Sequence, residues 1–276
     1  MTRIVTSLHG QKVGLTQNGR LMVPAGFISG EHGSQMAMPS PDRVSFFKDF
    51  DGAAQVYSTT VVDGLRSRKG TTNAVDWTVT AAAGGSVVGT IGDTTASMAV
   101  SGVQLDTGLN WKANQGELVF QARVKMSTIA TIAVYIGFTD QVAALEMPIQ
   151  SAAGAHTITT NATDAVGFLF DTSDTSTDQW LAVGVANDTD ATVQSGLGIS
   201  SAAILPVADT YAVFRIEVAT DGSAVFYYNG VQVGSKMTGA VTSTVALTPV
   251  VAGFNRTTSG TPTLSVDYLH VSGLRV

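Results

Sequence analysis

Tyr211-Ala212-Val213-Phe214-Arg215-Ile216-Glu217-Val218-Ala219-Thr220-Asp221-Gly222-Ser223-Ala224-Val225-Phe226-Tyr227-Tyr228-Asn229-Gly230-Val231-Gln232-Val233-Gly234 is the stretch on which the reading of this chain turns. Ala212, Phe214, Ile216 and Val218 fall on one parity, and Tyr211, Arg215 and Glu217 lie on the other face. A period of two sends alternate side chains to opposite faces of an extended strand, so one face is built for a core and the other for water. Thr220-Asp221-Gly222-Ser223 is turn chemistry, Ala224 to Tyr228 returns, and Asn229-Gly230 turns the chain again into Val231-Gln232-Val233. An Asn-Gly pair suits the type I′ hairpin turn, whose two central residues both need positive φ. The block therefore predicts an antiparallel three-stranded meander.

The same alternation extends outward. In Leu118 to Met126 one parity reads Leu, Phe, Ala, Val, Met and the other Val, Gln, Arg, Lys. Ile132 to Phe138, Val166 to Phe170 and Trp180 to Val185 are apolar runs, with the small residues Ala133, Gly137 and Gly167 sharing parities; they read as buried or neighbouring strands. Candidate strands near Thr242 to Ala252 and Leu264 to Val271 finish the chain. The best helix candidate, Asp140 to Leu145 ahead of Pro148, would make little more than one turn. Many short strands separated by turn signals predict an all-β fold, an antiparallel two-sheet sandwich.

The first 45 residues are rich in Gly, Ser, Pro and Gln. Lys12 to Thr16, then Gln17-Asn18-Gly19-Arg20, then Leu21 to Val23 predict one small hairpin. Residues 1–45 are expected to be an extended arm, and residues 46–276 the sandwich. Charge follows the same division: residues 1–70 carry eight Lys or Arg against five Asp or Glu, and residues 71–276 carry seven against sixteen. Asp, Glu, Lys and Arg make up 13% of the 276 residues, about half the usual share of ~25%. That is too little for a charge-rich coiled coil, a basic nucleic-acid binder or a charge-driven disordered tail. No apolar run reaches the roughly 18 to 20 residues of a membrane-spanning helix, so neither nucleic acid nor membrane is expected as a partner.

With no cysteine there is no thiolate nucleophile and no Cys-based zinc site. Met1 to Gly10 lacks the apolar core of a secretory signal, so synthesis and folding in a cytoplasm are expected, and the sequons at Asn161, Asn187 and Asn255 read as accidents of a threonine-rich chain.

Val119 to Val124, Tyr135 to Asp140, Val166 to Asp171 with Trp180 to Val185, Phe214 to Val218 with Asp221-Gly222, Tyr228 to Val231 and Val266 to Val271 together resemble the laminin-G-like and concanavalin-A-like jelly rolls. A cysteine-free jelly roll rich in Ala, Gly and Thr, preceded by an extended arm, is similar to structural proteins of tailed bacteriophages, and most to capsid decoration (cement) proteins. The resemblance implies a virion protein on the capsid surface that binds the major capsid protein and itself, as a trimer, and is made in the host cytoplasm. The alternative is a carbohydrate-binding adhesin of a phage fibre, with Trp111 or the loops from Asp171 to Asp190 at the sugar.

No catalytic constellation emerges from spacing. Glycosidases need two facing carboxylates, in this fold usually as a Glu-x-Asp-x-(x)-Glu run. The four glutamates Glu31, Glu117, Glu146 and Glu217 form no such run, so the expectation is no enzyme, no catalytic residue and no cofactor. Asp171, Asp174 and Asp178 with Asp188 and Asp190 offer hard oxygens for Ca²⁺ but depart from the calcium-loop spacing, and a solvated loop is the plainer reading, so no metal is assigned. His9, His32, His156 and His270 have no metal-ligand spacing; His270 reads as a solvent-face residue. Arg66-Ser67-Arg68-Lys69 reads as a solvated basic loop. Trp77, Trp111 and Trp180 could stack sugars if exposed, although Trp180 opens an apolar strand and reads as core.

Overall fold

Strands dominate the computed structural model, which describes residues 4–6, 12–15, 21–22, 43–51, 55–57, 61, 63–80, 85–93, 96–152, 154–176, 178–198 and 201–274. The chain divides into two units, Met1–Pro41 and Asp42–Val276. In the first, β1 (Ile4–Thr6), β2 (Lys12–Leu15) and β3 (Leu21–Met22) form an antiparallel sheet in that order. Leu15 pairs with Leu21 and Gly14 with Met22, which is the small hairpin that the sequence predicts. Its turn residues Asn18 and Gly19 lie outside the described residues.

The second unit runs β4 (Arg43–Asp49), β5 (Arg66–Lys69), β6 (Val75–Thr80), β7 (Ser86–Thr90), α1 (Met98–Ser101), β8 (Val103–Asp106), β9 (Leu118–Met126), β10 (Ile132–Thr139), β11 (Ile149–Ser151), β12 (Ile158–Thr160), β13 (Ala165–Asp171), β14 (Leu181–Ala186), β15 (Thr189–Asp190), β16 (Ala212–Val218), β17 (Ala224–Tyr228), β18 (Val231–Met237), β19 (Thr248–Asn255) and β20 (Thr263–Leu274). Seven strands form one antiparallel sheet in the order β15-β14-β13-β10-β19-β8-β5. The facing sheet has the order β18-β17-β16-β9-β20-β7-β6, with β4 also paired to β20. This is the two-sheet antiparallel sandwich expected from the alternation, with the jelly-roll architecture that the resemblance implies. β4 begins at Arg43, so Arg43 to Ser45 are strand residues of this unit.

The alternating strands pack as their parity requires. Ala212, Phe214, Ile216 and Val218 of β16 and Leu118, Phe120, Ala122, Val124 and Met126 of β9 are buried between the sheets. Across the core, the Phe168 ring lies 5.2 Å from Phe214 and 5.4 Å from Phe226, and Trp180 lies 4.6 Å from Phe214, mostly edge to face. The runs without alternation have a different cause. β10 and β13 are buried at every position, because the outer face of the seven-stranded sheet is covered too. Tyr135, Leu169, Val183 and Phe254 there form a second apolar cluster with Met98 of α1 and with Met147 and Ile149 at the β11 end. The eight-stranded sheet has no such cover among the described residues, and its outer face is the open one.

Two sequence expectations are corrected. Asp140 to Leu145 forms no helix; Pro148 and the polar bonds of Asp140 and Gln141 hold it as a loop. Arg66-Ser67-Arg68-Lys69 is not a loop but β5, a sheet-edge strand whose Arg66 and Arg68 reach the buried carboxylate of Asp106 at 2.8 and 3.5 Å.

The two turns of the predicted meander differ in what they tolerate. Asn229 and Gly230 both take positive φ, 49° and 81°, and a Cβ on Gly230 would meet nothing within 4 Å. Gly222 has φ 79°, and a Cβ there would come 2.0 Å from the Val241 carbonyl oxygen. Gly230→Ala should therefore lower unfolding free energy by about 1 to 2 kcal/mol, the left-handed penalty alone, and Gly222→Ala by clearly more in the same urea titration.

Candidate functional site

Backbone register gathers the polar side chains of the open face into rows. Tyr227 pairs with Arg215, Arg215 with Gln121, Gln121 with His270 and His270 with Phe47, a line across β17, β16, β9, β20 and β4. The next row reads Val213, Arg123, Tyr268 and Asp49. Between Val266 and Tyr268 the pairing with β9 shifts. This bulge adds Asp267 beside Tyr268, and bulges commonly re-aim side chains next to binding sites.

The rows are tied together by polar contacts. Gln121 Nε2 donates to Tyr268 Oη at 2.7 Å, and Arg123 Nη1 lies 2.6 Å from Asp267 Oδ2. Arg215 pairs with Glu217, which also accepts from Tyr227 Oη at 3.4 Å. Arg43 bonds Ser272 Oγ at 3.0 Å and pairs with Glu117. The guanidinium of Arg123 and the ammonium of Lys125 sit 4.5 and 5.1 Å from the centre of the Tyr211 ring. Phe47, 54% exposed, has its ring 6.0 Å from Tyr268 and 6.3 Å from His270. The face thus combines partly exposed aromatic rings with charged and amide hydrogen-bonding groups held in fixed positions.

Burial displaces titrations here, raising the phenols of Tyr227 and Tyr268 among others. Burial, then the charges of Arg215 and Arg43, push the His270 imidazole below its ordinary value. Burial, then the neighbouring Asp51 and Asp267, raise the Asp49 carboxyl. Asp49 stands opposite Tyr268, with Asp267 next to it paired with Arg123.

The residues singled out from sequence are distributed differently. Trp77, Trp180 and Trp111 are 0%, 2% and 7% exposed, so none offers a stacking platform and the adhesin reading loses Trp111. Asp171 is bonded to Arg256 Nε at 2.8 Å and to the Ser151 amide at 2.8 Å. Asp174 accepts from the amides of His156 and Ser176 at 3.0 and 2.9 Å. These carboxylates are spent inside the fold, and the described residues hold no group of three or more His, Cys, Asp or Glu placed for a metal. His270 lies on the outer side of its strand, half-buried within the row on the open face. His9 and His32 lie outside the described residues.

Asp174, His156 and Ser176 have the residue types of a hydrolase triad, with Asp174 Oδ2 3.1 Å from His156 Nδ1. Ser176 Oγ, however, is 3.2 Å from both ring nitrogens. Equal distances put the hydroxyl over the ring, away from the in-plane lone pair of Nε2 that would take its proton. The trio is a capped turn.

Sequence reasoning put Tyr211, Arg215 and Glu217 on one outward face and missed Phe47, Gln121, Tyr227, Tyr268 and Asp49 as their companions. The Tyr227–Arg215 pair was readable from the Asn229-Gly230 and Asp221-Gly222 turns. The rest depends on which distant strands become neighbours.

No family model and no curated protein matches the sequence. Solved structures similar in fold include a prokaryotic β-1,3-1,4-glucanase (lichenase) derived from a mouse hindgut metagenome, at TM-score 0.52 and 12% identity over 82% of this chain and 98% of that one. An endo-acting O-glycanase from the human gut microbiota gives TM-score 0.52 and 9% identity, over 83% and 99% of the two chains. The carbohydrate recognition domain of Emp47p gives 0.51 and 8%, over 86% and 99%. The neighbours are jelly-roll sandwiches of the concanavalin-A and glucanase kind, and at these identities the likeness concerns the fold. It corrects the expectation that the chain is no enzyme: the sandwich is shared with glucanases and glycanases.

The His270 shift has a sign. Its imidazole charges more readily in the unfolded chain, so the folded state binds fewer protons below the ordinary value near 6.5. Stability is full above that value and is lost as pH falls through it toward the lower folded value. Urea midpoints measured from pH 7.5 to 5 should decline, and His270→Gln should flatten the decline.

Proposed function

We propose that this chain is a glycan-recognising jelly-roll module carried on the outside of a bacteriophage particle. The observation that carries the reading is the row Tyr227, Arg215, Gln121, His270, Phe47 on the sheet face left open among the described residues, with Tyr268 and Tyr211 beside it. A sugar presents apolar C–H faces and a rim of hydroxyls. Aromatic rings take the first, and amide, guanidinium and carboxylate groups take the second. Ligand sites generally combine apolar and aromatic lining with a few fixed polar groups. The three sandwich neighbours add support: by their names they are a lichenase, an O-glycanase and a carbohydrate recognition domain. The phage setting rests on the sequence resemblance to virion jelly rolls.

On a glycan array the full chain should give a specific hit. Tyr268→Ala and Gln121→Ala should each weaken that hit at least tenfold by calorimetry, a loss of about 1.4 kcal/mol. Binding untouched by both variants would remove the open face from the reading.

A second reading, capsid decoration through the major capsid protein and further copies of this chain, is favoured by one observation: residues 1–41 form a unit of their own ahead of β4. Such an arm gains stability by ordering on a partner at the cost of its entropy. Deleting residues 2–40 should then abolish binding to phage heads in a sedimentation assay while leaving glycan affinity unchanged.

A further inference from the structure

We infer that the ligand is a polysaccharide chain, bound along a track that leaves the open face and continues around the β17–β18 hairpin into a groove on the sheet edge. The inference rests on the glycan reading above and deepens it. Two concavities adjoin the face. A recess of about 180 Å³ is walled by Lys125 and Tyr211, the residues that stack beside Arg123, and by Tyr228 and Asn229. A groove of about 840 Å³ shares Tyr228 and Asn229 as its wall and runs on past Gln232, Ser195 and Gln194. Tyr228 and Asn229 thus connect the two, and Tyr211 connects the recess to the face.

The chemistry of the groove selects its occupant. Among the described residues no Asp, Glu, Lys, Arg or His lines it, although the chain carries 36 Lys, Arg, Asp and Glu side chains, from 15 and 21. Its walls set amides, hydroxyls and glycine backbone among the apolar side chains of Val193, Leu197, Ile204, Val231 and Val233, a mixture that matches the hydroxyl rims and C–H faces of a neutral sugar polymer and gives nothing to an ionic one. An extended peptide would have to pair with the free edge of β18. That edge is occupied at Ser235, where the Gln194 side-chain amide accepts from the backbone N–H at 3.0 Å and donates to the C=O at 3.1 Å. The same clamp holds the groove open: Gln194 ties the 193–198 loop to β18, and Gln179 Oε1 fixes that loop from below by accepting from Gly196 N–H at 2.8 Å. A groove of this volume, lying beyond the face, has room for sugar units that a short oligosaccharide seated on the face would not supply.

The test compares chain lengths on the full protein, using tri- and decasaccharides of mixed-linkage β-glucan, dextran, mannan and galactan. The decasaccharide of a bound polymer should bind at least thirtyfold more tightly than its trisaccharide. It should also slow amide hydrogen exchange in residues 193–198 and 228–235, which the trisaccharide should leave unchanged. Gln232 and Ser195 are exposed, so the double variant Gln232→Ala, Ser195→Ala should fold normally. It should erase the length advantage while keeping trisaccharide affinity. Equal affinity for both lengths, or a gain that survives the double variant, would overturn the track and leave the face reading standing. Protection of β18 by an extended peptide in place of a sugar would overturn it as well. Failure of all eight sugars to bind would overturn both.

Discussion

The pairing of β9 with β20 is the contact on which the remaining structure depends. β20 is the last strand of the chain, and along one edge it follows β9 from Leu264 opposite Met126 to Ser272 opposite Val119. Its other edge is divided, with Thr263 to Val266 bonded to β7 and Tyr268 to Leu274 bonded to β4. One strand therefore joins the middle of the chain to the first strand of the sandwich and to β7. The bulge at Asp267 lets it do so, since the added residue changes register at the point where one partner gives way to the other. Pairings of such high sequence separation are slow to form, and the sheet cannot close until β20 is in place.

That closure produces two unlike sheets. The seven-stranded sheet is covered on both sides, and its central strands accordingly read as unbroken apolar runs, Ile132 to Phe138 and Ala165 to Phe170. Among the described residues the eight-stranded sheet is covered on one side, and β9 and β16 alternate strictly. Which face of the molecule is free to bind is thus a consequence of two kinds of hydrophobic pattern, both legible in the order of the residues alone. What the pattern does not say is what covers the outer face of the first sheet. Met98, Met147 and Ile149 come from segments too short to carry a period of their own.

The same division marks how far the site was legible. The meander from Tyr211 to Val233 was readable because its two turns are local: Asn229-Gly230 and Asp221-Gly222 fix register by backbone sterics, and Asp221 adds its own bonds to Ser223, which pull its carboxyl down to about 2. Arg215 and Glu217 were therefore placed outward correctly. Phe47, Gln121 and His270 could not be joined to them, because the partnership of β4, β20 and β9 spans most of the chain and is decided by burial of whole faces. The tryptophans misled for a related reason. Trp111 has polar neighbours in sequence, yet its exchange of backbone bonds with Leu247 draws it under the sheet.

Charge, which separated a basic head from an acidic body in the sequence, takes a different form on the open face. Arg43, Arg123 and Arg215 each have an acidic partner there: Glu117, Asp267 and Glu217. Exposed pairs of this kind add little stability, but they cancel the field that a polyanion would need. The pairing leaves Lys125 over an aromatic ring and turns each guanidinium from a free charge into an oriented donor. Nucleic-acid affinity scales with phosphates neutralised by free cations, and this surface has few to give. Oriented neutral-on-balance donors beside Tyr211, Tyr227 and Tyr268 favour a ligand with many hydroxyls and no net charge. The groove beyond Tyr228 is uncharged among the described residues as well, so the proposed glycan reading needs one polymer for face and groove rather than two unrelated partners.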